Sequence, residues 1–277
     1  FHEVAAATTD TRFPDRAGWD TSLRGGAVRR ATPHLALRAA GSSGIRLPTL
    51  NELYRPFVVF PVTTRANAVL RNEEILGFEG GIDWTPTPAA SLSLTLFDNR
   101  VRNAIANVTI APNVRERRNV DAIHARGIEL TAALKAGRWS LDGSLALTRA
   151  RVEASGTSAG LDGLRPAQTP EVAASVTLGW RPRDGWLVSA TLRHVGAQYE
   201  DDLQADLIPA ATTLDLFAEV PVSRRVSLIL RAENLTDSDV ITRQQTDFGK
   251  PLGPTNPSID LGAPRTLWAG VRVTLPH

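Results

Sequence analysis

Leu267, Ala269, Val271, Val273 and Leu275 take every second position near the end of the chain, with Trp268, Gly270, Arg272 and Thr274 between them. A period of two is that of a β-strand, whose successive side chains point to opposite faces, so this segment is apolar on one face and polar or small on the other. The same alternation recurs along the chain. Leu92, Leu94 and Leu96 alternate with Ser91, Ser93 and Thr95, and Trp139, Leu141, Gly143, Leu145 and Leu147 with Ser140, Asp142, Ser144, Ala146 and Thr148. Val172, Ala174, Val176, Leu178 and Trp180 form one face of the next segment. Eleven such segments are read at 21–31, 34–44, 72–85, 90–102, 121–135, 138–151, 171–181, 186–199, 212–221, 225–237 and 265–275. Long helical periodicity is nearly absent, so the chain is predicted to be all-β.

The connectors sharpen the prediction. "ATPH", "TPTPAA", "KAGRW", "RPRDGW" and "PVSRR" are short and carry the Pro, Gly and charge of turns. Between them lie long polar stretches near 45–71, 103–120, 152–170, 200–211 and 238–264. Short turns at one end of a sheet and long loops at the other is the arrangement of an antiparallel transmembrane β-barrel. Trp84, Trp139, Trp180 and Trp186 lie beside short connectors in the phase of the apolar face. They are expected to form an indole girdle at a membrane interface, where a ring buries its apolar body and keeps its N–H wet. A soluble β-sandwich is the rival, but sandwiches do not alternate connector length in this way.

Charge placement agrees. Arg38, Glu79, Asp83, Glu129, Asp142, Arg193, Asp215, Glu219, Arg231, Glu233 and Arg272 all fall in the non-apolar phase, where they would face a wet lumen rather than lipid, in which a cation costs about 2–4 kcal/mol at mid-membrane. Asp98 and Arg100 break the rule by continuing the phase of Leu92, Leu94 and Leu96. Either the strand has left the hydrocarbon there or it carries a bulge.

Composition excludes several alternatives. With no Cys among 277 residues, disulfides, thiolate metal sites and thiol nucleophiles are unavailable. The chain has no Met, so it reads as a processed product or a piece of something longer. Neither a signal peptide nor an apolar run long enough for a membrane helix is visible. Basic and acidic residues number 31 and 29 and form no patch, so nucleic-acid binding is not expected. Parity adds a further expectation. The last long connector precedes the final strand, so that strand runs inward; counting back, the first of eleven also runs inward and lacks its outward-running predecessor. Bacterial single-chain barrels need an even number of strands, so residues 21–277 are expected to be a C-terminal portion of a larger barrel and 1–20 the tail of an extracellular loop.

"GIRLPTLNELY", Gly44 to Tyr54, resembles the "G-F-R-A-P-T-L-x-E-L-Y" signature of TonB-dependent outer-membrane receptors through Gly44, Arg46, Pro48, Thr49, Leu50, Glu52, Leu53 and Tyr54. "NEEILGFEGGIDW" is similar to the family's "L-x-P-E-x-x-x-x-x-E-x-G" strand, with Asn72 and Glu73 where Pro-Glu is usual. "LFDNRVRNAI", "RNVDAIHARGIELTA" and "RAENLTDSD" resemble three further segments, in the family's order. The resemblance implies a barrel of about 22 strands, of which this chain supplies about eleven, filled by an N-terminal plug. Such a receptor imports a scarce ligand when the TonB–ExbB–ExbD complex pulls on an N-terminal box; plug and box do not occur in these residues. It implies outer-membrane lipid and lipopolysaccharide as surroundings, and a ferric siderophore ahead of cobalamin as ligand. One departure is that Leu275 is followed by Pro276 and His277 rather than ending on Phe or Trp.

Within the motif, Pro48 removes a donor and forces Leu47 toward an extended conformation, ending the ladder. The motif therefore reads as a loop anchor. Arg65, Arg71, Arg115, Arg117 and Arg118 put guanidinium groups in two long loops, where they suit an anionic chelate; solvent or lipopolysaccharide phosphates are the plainer partners. His2, His34, His124, His194 and His277 show no paired spacing for haem or metal, and no cofactor is expected. Asn107-Val108-Thr109 matches a glycosylation sequon without bearing on a bacterial barrel. An enzyme needs a convergent triad, and the nearest candidates, Ser189 and His194, are in opposite phases. A passive porin shares barrel and girdle but not the loop motif.

Overall fold

The computed structural model describes residues 2–3, 13, 15–59, 62–245 and 258–275. Its main sheet has eleven strands: β1 (Arg24–Thr32), β2 (Leu35–Arg46), β3 (Glu73–Thr87), β4 (Ala90–Arg102), β5 (Ala122–Ala136), β6 (Trp139–Glu153), β7 (Val172–Trp180), β8 (Leu187–Val195), β9 (Ala211–Pro221), β10 (Val226–Glu233) and β11 (Thr266–Val273). All neighbours are antiparallel and follow chain order from one edge to the other, an up-and-down meander. Each of the eleven segments read from the sequence supplies one strand. β8 stops at Val195 rather than 199; β10 stops at Glu233 rather than 237, because Asn234 and Asp237 turn the chain through positive φ values of 48° and 55°, a conformation Asn and Asp tolerate better than most.

Register joins the apolar positions into one continuous face. Leu94 faces Ile82 on one side and Leu130 on the other; Leu130 then faces Leu145, which faces Ala174. Further on, Leu192 meets Leu214, Leu230 meets Ala269 and Leu228 meets Val271. Nothing among the described residues covers this face: Leu96 is 54% exposed, Val176 45% and Val271 63%. The other face carries the ion pairs: Arg38 with Asp83 at 3.3 Å, Arg231 with Glu233 at 2.6 Å, Arg272 with Glu219 at 2.7 Å, and Arg193 with Asp215. It also demands a glycine. A Cβ on Gly127 would lie 2.7 Å from the Phe97 ring and 2.1 Å from the Leu147 carbonyl oxygen, so only Gly lets that ring lie on the strand.

Asp98 and Arg100 are not on a bulge. The register from Phe78↔Asp98 to Leu76↔Arg100, and from Asp98↔Arg126 to Arg100↔His124, is uninterrupted. The strand runs straight on, and its outward phase changes from apolar to charged above Leu96.

The buried apolar side chains lie at the long-connector end of the sheet and in those connectors. Ala104, Val108, Val120, Val152 and Leu161 form a cluster made by the connectors after β4 and β6 and the end of β6 itself, and Leu53, Leu70 and Ile208 are buried in other long connectors. These connectors carry structure of their own. Helix α1 (Leu50–Tyr54) follows β2, and four short strands form a second sheet in the order 57–59, 62–65, 114–119, 105–111. Within it Val114–Asn119 runs parallel to Val62–Arg65, so two loops separated by β3 and β4 are stitched together. No described helix is long and apolar enough to cross a membrane. Pro276 and His277, part of the 1–20 tail and residues 246–257 of the last loop lie outside the described residues.

Candidate functional site

The motif after β2 is built around one guanidinium. Thr49 caps α1: its hydroxyl accepts from the Glu52 amide at 3.2 Å, and the Glu52 carboxylate accepts from the Thr49 amide at 2.7 Å, the reciprocal box that satisfies two orphan donors of a helix start. Arg46, the last residue of β2, donates to both Glu52 oxygens at 3.1 and 3.2 Å and to the nearly buried Glu73 at the start of β3. Glu73 also accepts from the Ile105 amide at 2.6 Å. One Arg and two Glu thus tie β2, α1, β3 and the connector after β4. Burial pushes the Glu52 carboxyl up, but hydrogen bonds from Arg46 and from the Thr49 amide and hydroxyl outweigh it, and its pKa is lowered.

The remaining motif residues have narrower roles. Leu53 is fully buried beneath α1, Pro48 is buried, and Tyr54 packs its ring 4.5 Å from Phe13. Gly44 has no steric cause, since a Cβ there would meet nothing within 4 Å. Residues just before β1 lie against the same layer: Arg16 donates to the Leu70 carbonyl at 2.7 Å and Asn72 to Asp20 at 3.2 Å.

The five loop arginines do not form one cluster. Arg117 donates to the carbonyls of Asn51 and Arg55 and stacks over Phe57, 5.1 Å from its centroid. Arg118 pairs with Glu116 at 2.5 Å. In the parallel ladder Arg115 faces Thr64 and Glu116 faces Arg65, so Arg65 and Arg115 project to opposite faces of the loop sheet. The Arg71 backbone is clasped by the Asn119 side chain. Among the described residues Arg65, Arg71 and Arg115 have no carboxylate partner.

Of the four tryptophans, Trp139 faces Trp180 directly and the two indoles stack at 5.6 Å. Trp84 lies on the Leu92–Ala132–Gly143 row, four residues above Trp139. Four residues span about 14 Å along a strand, and three strand spacings about as much across the sheet, so a tilt of about 40° levels the two. Trp186 stands in the turn before β8 rather than on a strand, its amide bonded to the Arg183 carbonyl. Glu73 and Asn234 are the residues whose parts the sequence did not assign. Glu73 lies within "NEEILGFEGGIDW", and Asn234 within "RAENLTDSD" donates to the Ser238 and Ala263 carbonyls, closing the turn into the last loop.

The polar face of β3–β7 carries a trough of about 420 Å³ lined by Asp83, Ser93, Thr131, Asp142, Ser144 and Ser175. His194 bonds the Thr212 hydroxyl at 2.8 Å and, as its phase requires, stands on the face opposite Ser189. Among the described residues no three His, Asp or Glu are grouped to hold a metal ion.

An antiparallel meander with an uncovered apolar face, an ion-paired polar face and a separately packed loop layer is the wall of a transmembrane β-barrel. The family model described as "TonB dependent receptor-like, beta-barrel" matches residues 2–235, and the chain belongs to that family of transport receptors. Solved structures agree in fold. The ferric yersiniabactin uptake receptor FyuA of Yersinia pestis is 17% identical with a TM-score of 0.69, covering 91% of this chain and 36% of its own. The siderophore receptor PiuA of Acinetobacter baumannii is 16% identical with a TM-score of 0.72, covering 97% and 38%. The copper transporter OprC is 20% identical with a TM-score of 0.68, covering 91% and 38%. The chain thus spans little more than a third of the length of each. No curated protein sequence matches it significantly.

Proposed function

We propose that this chain is part of the wall and extracellular loop layer of an outer-membrane receptor that imports a ferric siderophore. The observation that carries the reading is the loop layer itself: a packed roof joined to an ion-paired polar wall, with Arg65, Arg71 and Arg115 without a carboxylate partner among the described residues. Guanidinium forks at the outer mouth suit the carboxylate or catecholate oxygens of an anionic ferric chelate. Of the fold neighbours one is named a siderophore receptor and another a ferric yersiniabactin uptake receptor, which supports the same ligand class. A soft metal ion is less well served, because the chain has no Cys or Met to offer it.

In this reading Gly44, Arg46, Pro48, Thr49, Glu52, Leu53 and Tyr54 anchor the loops rather than touch ligand. Trp84, Trp139, Trp180 and Trp186 mark the periplasmic interface. Residues 1–20 close an extracellular loop, and the long loops face the lipopolysaccharide leaflet. The TonB–ExbB–ExbD complex supplies the energy through segments other than those described. The test is uptake of iron-55-labelled siderophores, with labelled cobalamin in parallel, by a strain deleted for the intact gene. A loss of about tenfold for one ferric siderophore, restored by the gene, is expected. Unchanged uptake of every siderophore overturns the ligand assignment, and loss of cobalamin uptake alone reassigns it. Free passage of small solutes through the purified protein in planar bilayers identifies a porin instead.

A further inference from the structure

On the polar face of the main sheet Arg38 is held by Asp83, Arg193 by Asp215, Arg231 by Glu233 and Arg272 by Glu219. Arg126 and Arg149 are on the other face, in the phase of Ile128, Leu130, Leu145 and Leu147. They are directly opposed in the β5–β6 ladder, both exposed, and neither has an ion pair among the described residues. Like charges facing each other across a ladder repel. The nearest acid by register, Asp98, is engaged by the His124 ring at 2.8 Å, and in the next row Arg100 and Arg151 are taken by Glu153 and Glu171. The two guanidinium groups therefore share one acid, Asp98, which faces Arg126 across the ladder and is already bonded by His124, and a net positive charge remains at this point of the outward face.

Their position says what compensates them. The row immediately below is Leu96–Ile128–Leu147, the last apolar row of β4, β5 and β6 on the long-loop side, about 7 Å along the strands. Acyl chains lying on that row bring a phosphate of their own headgroup up to the two guanidinium forks. We infer that Arg126 and Arg149 form a lipid-phosphate clamp on the outside of the wall, gripping the phosphorylated glucosamine headgroup of lipopolysaccharide while Leu96, Ile128 and Leu147 receive its acyl chains. The inference rests on the outer-membrane barrel reading and deepens it by locating one lipid contact. Asp98 sits beside the clamp and limits it to a single phosphate, while Arg100 and Arg151 are already neutralised.

The test uses the protein expressed from its intact coding sequence and purified from outer membranes in detergent, with lipid A, dephosphorylated lipid A and inorganic phosphate as probes. Lipid A is expected to bind R126Q/R149Q at least tenfold more weakly than the wild type, and R126K/R149K with an intermediate loss, because ammonium groups keep the charge but not the fork. Dephosphorylated lipid A should bind the wild type as weakly as lipid A binds R126Q/R149Q, and millimolar inorganic phosphate should compete poorly. Equal binding of lipid A to wild type and R126Q/R149Q overturns the clamp, as does equal binding of the two lipids to the wild type. Full competition by inorganic phosphate overturns the lipid assignment. Quenching of wild-type tryptophan fluorescence by brominated acyl chains checks the barrel reading separately. Its absence removes that reading, whereas quenching with unchanged lipid A binding removes only the clamp.

Discussion

The wall and the loop layer solve opposite problems with the same strands and turns. In the wall, leucines and valines are exposed and polar groups are paired on the far face; in the loop layer, Leu53, Leu70, Val108, Val120 and Leu161 are buried as in any water-soluble domain. One chain thus holds two solvents apart. The wall is incomplete without lipid, because its apolar face has no partner among the described residues, while the loop layer packs its own small core and ties it down with Arg46. The boundary is sharp. On β4 it falls between Leu96 and Asp98, and on β5 between Ile128 and Arg126.

The largest test of this division is a matched pair on β6. Leu145→Arg puts a cation on the outward face at mid-band and is expected to lower stability on refolding into lipid vesicles by about 2–4 kcal/mol. Ser144→Arg, one residue away on the polar face, should cost under about 1 kcal/mol. Urea titrations followed by tryptophan fluorescence give both values, and equal losses would erase the distinction between the faces.

In the loop layer Arg46→Ala leaves Glu73 nearly buried without its cation, at a cost of about 2 kcal/mol. That loss is expected to be local. Hydrogen exchange should quicken about thirtyfold at the Leu53 and Asn67 amides and stay unchanged in β5 and β6; a global change would mean that wall and layer unfold together. Arg46→Lys should recover only part, since a point charge cannot fork two carboxylates.

The pH dependence is smaller and confined to the same layer. The folded pKa of Glu52 lies below its ordinary value of 4.5, so its contribution is complete above that value and is lost as pH falls through the lowered one. Protection at Leu53 should be constant from pH 7 to 5 and decline only below about 4.5, and Glu52→Gln should abolish that part of the decline. Smallest of all, Trp139→Ala removes the stack on Trp180 and should cost about 1 kcal/mol beyond the lost contact area, with a change in the near-ultraviolet circular dichroism of the indole pair as the readout.

The wall was legible because alternation is a local signal that a lipid-facing sheet cannot avoid. Leu145 must point away from Ser144 whatever the rest of the chain does, and so all eleven strands could be read. Alternation also ran past the true ends of β8 and β10, where Gly196 and Asn234 leave the ladder. The loop layer was not legible for the converse reason. "VRERRN" is a strand without an apolar period, held by pairing with Val62–Arg65 across about fifty residues of chain, and nothing local announces a parallel partner at that distance. The motif at Arg46 lay between these cases. Its cap was readable from Thr49 and Glu52, while its second carboxylate, Glu73, came from the other side of a loop.

The most direct measurement places nitroxide spin labels, one at a time, at Leu94, Leu145, Val176 and Leu228 and at their neighbours Ser93, Ser144, Ser175 and Ser227 in the protein reconstituted in vesicles. Collision rates with oxygen, which concentrates in lipid, and with a water-soluble nickel chelate should alternate out of phase, oxygen winning at the first four sites and nickel at the second four. Nickel winning at the leucine and valine sites, or no alternation at all, would contradict a wall with lipid outside and water within.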